Sequence, residues 1–483
     1  QGEYTTITLP LTQGIVQARK SEFPDAEDDV SKKPEAYAER WIATSSGKGT
    51  LGVLWEPGVA ENEMGWAFSL LTEKLSCLPQ TFTEGAKFYV YVGSGDWRTV
   101  RRYACRLAGS DGEREDIPVL PRPVHNARFE PSPLVTVNNS VTPSLVVDNL
   151  RGKPLQGSLQ IQTAEGVVFD RDQFTLEGLT RDKKLSEPVK IQLPPGPAVH
   201  TVNLKMETQI FDTQIPAPIV RLGDEQQVDI HLGDRIRLDN GLSQFDINPA
   251  FTGALTSWIM DGRNHVLSPY PDVKSFGWMS PWYGGLTPMV ISGGEEDFPG
   301  KLYREKLDVE QIADRDRHGL SWYGVRLKTN LVREKLLGLD VALDYLTVGG
   351  SNVLKLVTSV QNNTTAERGM GIGWITFWQP DGSAEHNILH SHDMQRKPTP
   401  WYSWAKTGHW AAVTNSVTRR SAAMVSPYPE VSLMDWGDAG SHLGAIFDVH
   451  VPPSATVRRT VYLVLCDDLK TAKSYAVLKD YID

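Results

Sequence analysis

The residues best able to do chemistry stand together at Glu385-His386-Asn387-Ile388-Leu389-His390-Ser391-His392-Asp393, and four of the chain's eleven histidines fall between His386 and His409. On an extended strand His390 and His392 project from one face, a geometry that can hold a metal ion or two sugar hydroxyls. With Glu385 beside them, His390 and His392 form a candidate catalytic set. The same stretch also reads as a polar loop of solvated histidines at a sheet edge. Cys77, Cys105 and Cys466 form no metal-type or redox-type pair. Buried apolar packing is their simplest role, and neither a resident metal nor a cofactor is expected.

A second candidate is aromatic. Trp278, Trp282 and Tyr283 lie in Phe276-Gly277-Trp278-Met279-Ser280-Pro281-Trp282-Tyr283-Gly284-Gly285-Leu286, and Trp401 and Trp404 follow later. Rigid rings beside Gly and Pro turns suit stacking on the apolar face of a pyranose. With His386 they form a candidate substrate-binding set, and the alternative is that they fill the space between two sheets. Acidic groups at Glu295-Glu296-Asp297, at Asp314 and Asp316, and at Asp435 with Asp438 could pair as in a glycosidase. Each also reads as a solvated face, and Asp314-Arg315-Asp316-Arg317 most simply as self-paired surface charge. Nucleotide-binding, serine-hydrolase, metalloprotease and EF-hand motifs are absent, which argues against those chemistries.

These candidates must be positioned by strands. With 41 Gly, 31 Pro and strand-like runs such as Lys87–Val92, Ser158–Thr163, Val199–Met206, Val353–Gln361 and Val457–Leu465, the chain reads as mainly β. Helices are expected at Trp97–Leu107 and Lys470–Leu478, each amphipathic and closing its domain. A net charge of −10 argues against nucleic acid as a partner, and no apolar run is long enough to enter a membrane.

The two ends of the chain repeat each other. Trp41-Ile42-Ala43-Thr44, Gly52-Val53-Leu54-Trp55, Lys87–Val92 and Trp97–Ala104 return in order as Trp410-Ala411-Ala412-Val413, Ala422-Ala423-Met424-Val425, Thr460–Leu465 and Leu469–Ala476. Matched order at near-matched spacing marks a duplicated unit. The first copy has far less strand-rich sequence ahead of it than the second. Residues 1–117 are therefore expected to be the C-terminal half of a sandwich, completed upstream or by a partner chain. A Pro-rich linker follows at Pro118–Pro123. Residues 124–222 lack Trp, Tyr and Cys altogether and, with period-2 strands, are expected to form an immunoglobulin-like sandwich acting as a spacer. Residues 225–483 are expected to be a complete domain.

Ile236-Arg237-Leu238-Asp239-Asn240-Gly241-Leu242-Ser243-Gln244-Phe245, then Phe251-Thr252-Gly253-Ala254-Leu255, resembles the opening of galactose-mutarotase-like β-supersandwich domains. Gly371–Trp378 and the histidines after it resemble that fold's middle strands. The resemblance implies large antiparallel β-sandwich domains flanking the immunoglobulin-like one. It also implies a sugar-related role, with a histidine acid and a carboxylate base where the fold is catalytic. The expectation is an extracellular or cell-envelope protein that binds an oligo- or polysaccharide as the β-sandwich portion of a larger glycoside hydrolase-type protein. Its rivals are a glycoside hydrolase, lyase or epimerase with its site in the last domain, and a structural surface-layer or scaffold protein.

Overall fold

The structure, a computed structural model, describes residues 6–12, 14–18, 36–46, 49–57, 59–64, 68–72, 75–76, 78–80, 82–108, 122–123, 125–149, 154–163, 165–180, 183–209, 212–276, 279–292, 302, 305–332, 334–399, 403–435 and 441–482. Almost every element is a strand, and nearly all pairings are antiparallel. No helix among the described residues is long and apolar enough to cross a membrane.

In the last part of the chain, two large sheets lie face to face. One runs Asp229–His231, Ile236–Asp239, Ser243–Asn248, Ala254–Met260, Leu286–Ile291, Arg368–Phe377, Ser441–Val451, Val431–Asp435, Ser403–Gly408, with Arg263–Asn264 beside it as a tenth strand. The other has nine strands: Asp308–Arg315, Ser321–Asn330, Leu339–Thr347, Val353–Asn362, Thr456–Cys466, Ser421–Val425, Trp410–Asn415, Asn387–His390, Gln395–Arg396. Successive side chains point to opposite faces of a strand, so each strand serves two cores. Val461, Leu463 and Leu465 enter the core between the sheets, where Trp258 and Trp374 also pack. Tyr462, Val464 and Cys466 face outward and pack under Ala472, Tyr475 and Tyr481. The C-terminal cover is not one helix over Lys470–Leu478. An α-helix, Leu469–Ser474, starts where the Asp468 side chain accepts from Thr471 N, and it tightens into a 3-10 helix, Tyr475–Asp480. That switch turns Tyr475 and Leu478 onto the sheet.

Asp316 departs from the surface-charge reading. It is buried, and it accepts hydrogen bonds from Trp322 Nε1 at 3.0 Å, His318 N and Leu320 N at 3.0 Å, and the Tyr481 hydroxyl. A carboxylate with this many donors is a structural anchor.

The first part forms a six-stranded sheet ordered Phe88–Gly93, Gly49–Trp55, Trp41–Ser46, Thr6–Leu11, Gly14–Ala18, Arg122–Pro123, with a separate hairpin, Val59–Met64 and Phe68–Thr72. Its first five strands repeat the order of Thr456–Cys466 through Gln395–Arg396. The register repeats too. Trp41 faces Leu54, which faces Tyr89, as Trp410 faces Val425, which faces Tyr462. Ser45 and Thr50 share a 2.9 Å hydroxyl contact, and Thr414 and Ser421 one of 2.8 Å. The helix Trp97–Leu107, N-capped by Asp96, lies on this sheet. Gly52 allows the close fit, because a Cβ there would stand 2.6 Å from Val100.

Between these parts, residues 125–221 enclose a core of their own that includes Phe129, Leu145, Leu159, Phe174 and Val202. Leu134–Thr136 pairs in parallel with the end of Asp212–Arg221. Val135 and Val220 join the outer core of the nine-stranded sheet. Cys105 and Cys466 are buried, and Cys77 lies outside the described residues.

Candidate functional site

The histidine stretch follows a 3-10 turn, Pro380–Gly382, and forms the short strand Asn387–His390 near the edge of the nine-stranded sheet. Asn387 Nδ2 donates to Trp378 O at 3.0 Å and fixes its start. The strand ends at His390, so His392 does not continue its face. Ser391 Oγ accepts from Met394 N at 3.1 Å and turns the chain there. Leu389 points into the inter-sheet core. His390 therefore points to the sheet's outer side, and it is buried there. Burial, helped by the Lys473 ammonium, pushes its pKa down to about 4, so its ring is neutral at neutral pH. His392 is exposed, with its ring 5.6 Å from that of Trp410. Glu385 and His386 are exposed loop residues. Among the described residues no group of three or more His, Cys, Asp or Glu could hold a metal.

The aromatic candidates separate. Trp282 is buried on the outer face of the ten-stranded sheet, stacked on Phe276 at 4.6 Å and edge-on to Phe377 at 5.4 Å. Tyr283 packs elsewhere, against Phe251 at 4.7 Å. Trp278 and Trp401 lie outside the described residues, as do Glu295, Glu296, Asp297 and Asp438. Trp404 is 39% exposed. Trp282 and His390 thus face away from each other across the whole sandwich.

Register builds a different constellation on the face that carries Trp282. Trp404 pairs with Met434, Met434 with His442, and His442 with Phe377. Directly paired residues share a face, so these four form one row across four adjacent strands. The hairpin of Lys274–Phe276 and Met279–Trp282 folds over its Phe377 end. The hairpin's return to the sheet needs Gly285, whose φ is +58° and whose Cβ would stand 2.0 Å from Leu255 O. His442 is buried, 4.3 Å from the Phe377 ring and 5.8 Å from the Phe276 ring. On the opposite, inter-sheet face of the same strands, Arg396 from the nine-stranded sheet donates through Nη1 to Ser403 Oγ at 2.9 Å, and its Nη2 lies 2.8 Å from Asp435 Oδ2. Burial raises the Asp435 pKa, and Arg396 and the Thr399 backbone oppose that rise. The row therefore runs from a partly exposed indole to a closed aromatic wall around a histidine, and the ion pair lies on the other face of the same strands.

Asp435 stood among the sequence's acidic groups. Its ion pair with Arg396, and His442 with Phe377, carried no local signal, because the strands that join them are far apart in the chain.

No protein-family profile matches the chain, and no curated protein matches it. Solved structures do. One is a provisionally assigned aldose 1-epimerase from Klebsiella pneumoniae, 13% identical over 59% of this chain and 88% of that one, with a TM-score of 0.40. A galactose mutarotase related enzyme from Lactobacillus acidophilus is 9% identical over 49% and 99%, with a TM-score of 0.36. The GH36 α-galactosidase AgaB from Geobacillus stearothermophilus is 11% identical over 50% and 41%, also at 0.36. At such scores these likenesses carry no argument, and the fold rests on the sheets themselves. It is a large antiparallel β-sandwich.

Proposed function

We propose that this is a carbohydrate-active protein that binds a glycan on the outer face of its ten-stranded sheet, with Trp404 as the stacking platform. The observation that carries the reading is the cross-strand row from Trp404 to Phe377. A sugar has an apolar ring face and a rim of hydroxyls. It is recognised by an aromatic plane with a few fixed polar groups beside it. The setting we propose is extracellular or envelope-bound, with the chain as the binding portion of a larger glycoside hydrolase-type assembly.

The test is a titration of the whole chain with oligosaccharides of gluco, galacto and manno configuration, followed by tryptophan fluorescence. Trp404→Ala should weaken the best ligand about tenfold or more, with far-UV circular dichroism unchanged. His390→Ala and His392→Ala should leave binding intact, because those side chains lie on the other sheet. No saturable binding by the unmodified chain would sink the reading and favour a purely structural role. Binding insensitive to Trp404 but lost with the histidines would move the site to the nine-stranded sheet.

A further inference from the structure

The last sandwich shows what surrounds the first unit's sheet when the same strands are enclosed. There Thr456–Cys466 pairs on both sides, with Ser421–Val425 and with Val353–Asn362. The latter is the final strand of the meander Asp308–Arg315, Ser321–Asn330, Leu339–Thr347, Val353–Asn362. Its counterpart Phe88–Gly93 pairs with Gly49–Trp55 and is the edge of its sheet among the described residues. By register Phe88, Val90 and Val92 stand where Val461, Leu463 and Leu465 do. The former are 64%, 58% and 77% exposed, and the latter are fully buried. Leu51, the counterpart of the buried Ala422, is exposed on the same face. An edge strand with this composition, carrying no charge and no Pro, lacks the usual guards against pairing.

We infer that Phe88–Gly93 is a β-augmentation site, and that its occupant is an antiparallel strand of a partner polypeptide resembling Val353–Asn362. Main-chain hydrogen bonds supply affinity in this mode, and alternate side chains supply specificity. Register states what those side chains should be. In the last sandwich Leu354 faces Leu463, Lys355 faces Tyr462, and Leu356 faces Val461. The partner strand therefore presents an apolar residue opposite Val90, a cation opposite Tyr89 and an apolar residue opposite Phe88. The Tyr89 hydroxyl already donates to Glu56 Oε1 at 2.8 Å, which places a carboxylate near the cation. The inference does not depend on glycan binding, which belongs to the other end of the chain.

Hydrogen exchange of the full chain tests it, with a synthetic peptide of the sequence Val353–Asn362 as the probe. Amides of Phe88–Gly93 should slow about tenfold or more as peptide is added, while those of Val457–Leu465 stay unchanged. Val92→Lys, at an exposed position, should cut that protection severalfold with the rest of the exchange map intact. Val90→Pro should abolish it by removing an edge N–H. No slowing at about 1 mM peptide, the limit of weak specific binding, would overturn the inference. So would protection that grows with protein concentration alone, together with a doubled mass, since the occupant would then be a second copy of this chain.

Discussion

The first unit and the last share five strands in the same order, with the same cross-strand partners and the same hydroxyl contact between two of them. They differ in what lies opposite. Leu463 sits between two sheets, and Val90, in its place, looks outward. They differ also in chemistry. The position of His390 holds Thr8 in the first unit, and that of Arg396 holds Ala18. Burial belongs to the layer and not to the strand, and the scaffold was repeated without its ionisable groups.

The largest expected effect separates the two layers. Leu463→Ala should cost about 2–5 kcal/mol, because a fully enclosed side chain leaves a cavity. Val90→Ala should change stability by less than about 0.5 kcal/mol. Urea unfolding with a local tryptophan signal measures both, and equal costs would mean that the first unit's sheet is covered after all.

The next effect depends on pH. His390 has a folded pKa of about 4, below the ordinary 6.5, chiefly through burial. As pH falls the unfolded chain takes up this proton first. The native state is therefore at full strength above about pH 6.5 and loses stability as pH drops through about 4. The loss attributable to His390 is up to about 3 kcal/mol. His390→Gln should flatten the profile, measured as unfolding midpoints at several pH values. His409 is depressed to about 4 as well, by burial first and the Arg98 guanidinium second, and adds in the same direction. Thr8 contributes nothing of the kind, so the first unit should respond less to acid. A profile with no slope between these values would place His390 in water.

The smallest effect compares the hydroxyl pairs. Ser421→Ala should cost about 1 kcal/mol, since Ser421 is fully buried and also donates to Arg419 O. Ser45→Ala, at a half-buried site, should cost a few tenths. The two changes remove opposite ends of the shared contact, since Ser421 stands where Thr50 does and Ser45 where Thr414 does.

Much of the fold was legible because strand signals are local. Val353–Asn362 and Thr456–Cys466 announce themselves by β-branched and aromatic residues in unbroken runs, and Trp97–Leu107 by its apolar spacing. The repeat was legible because register follows from the order of residues along each strand. Less of the site was legible. His390 and His392 are two residues apart, and period 2 puts them on one face only while the strand lasts. The turn at Ser391 ends it.

By itself, then, the sequence determined which segments are extended, which ends match, and which rings and acids are available. Tertiary structure alone decided that Trp404, His442 and Phe377 share a row, that Arg396 meets Asp435, and that Trp282 and His390 lie on opposite sides of the sandwich. The reason is physical. A side chain's face is set within its own strand, but its neighbours are set by hydrogen bonds to strands distant in the chain. Whether an apolar face is core or surface depends on whether another layer is packed against it.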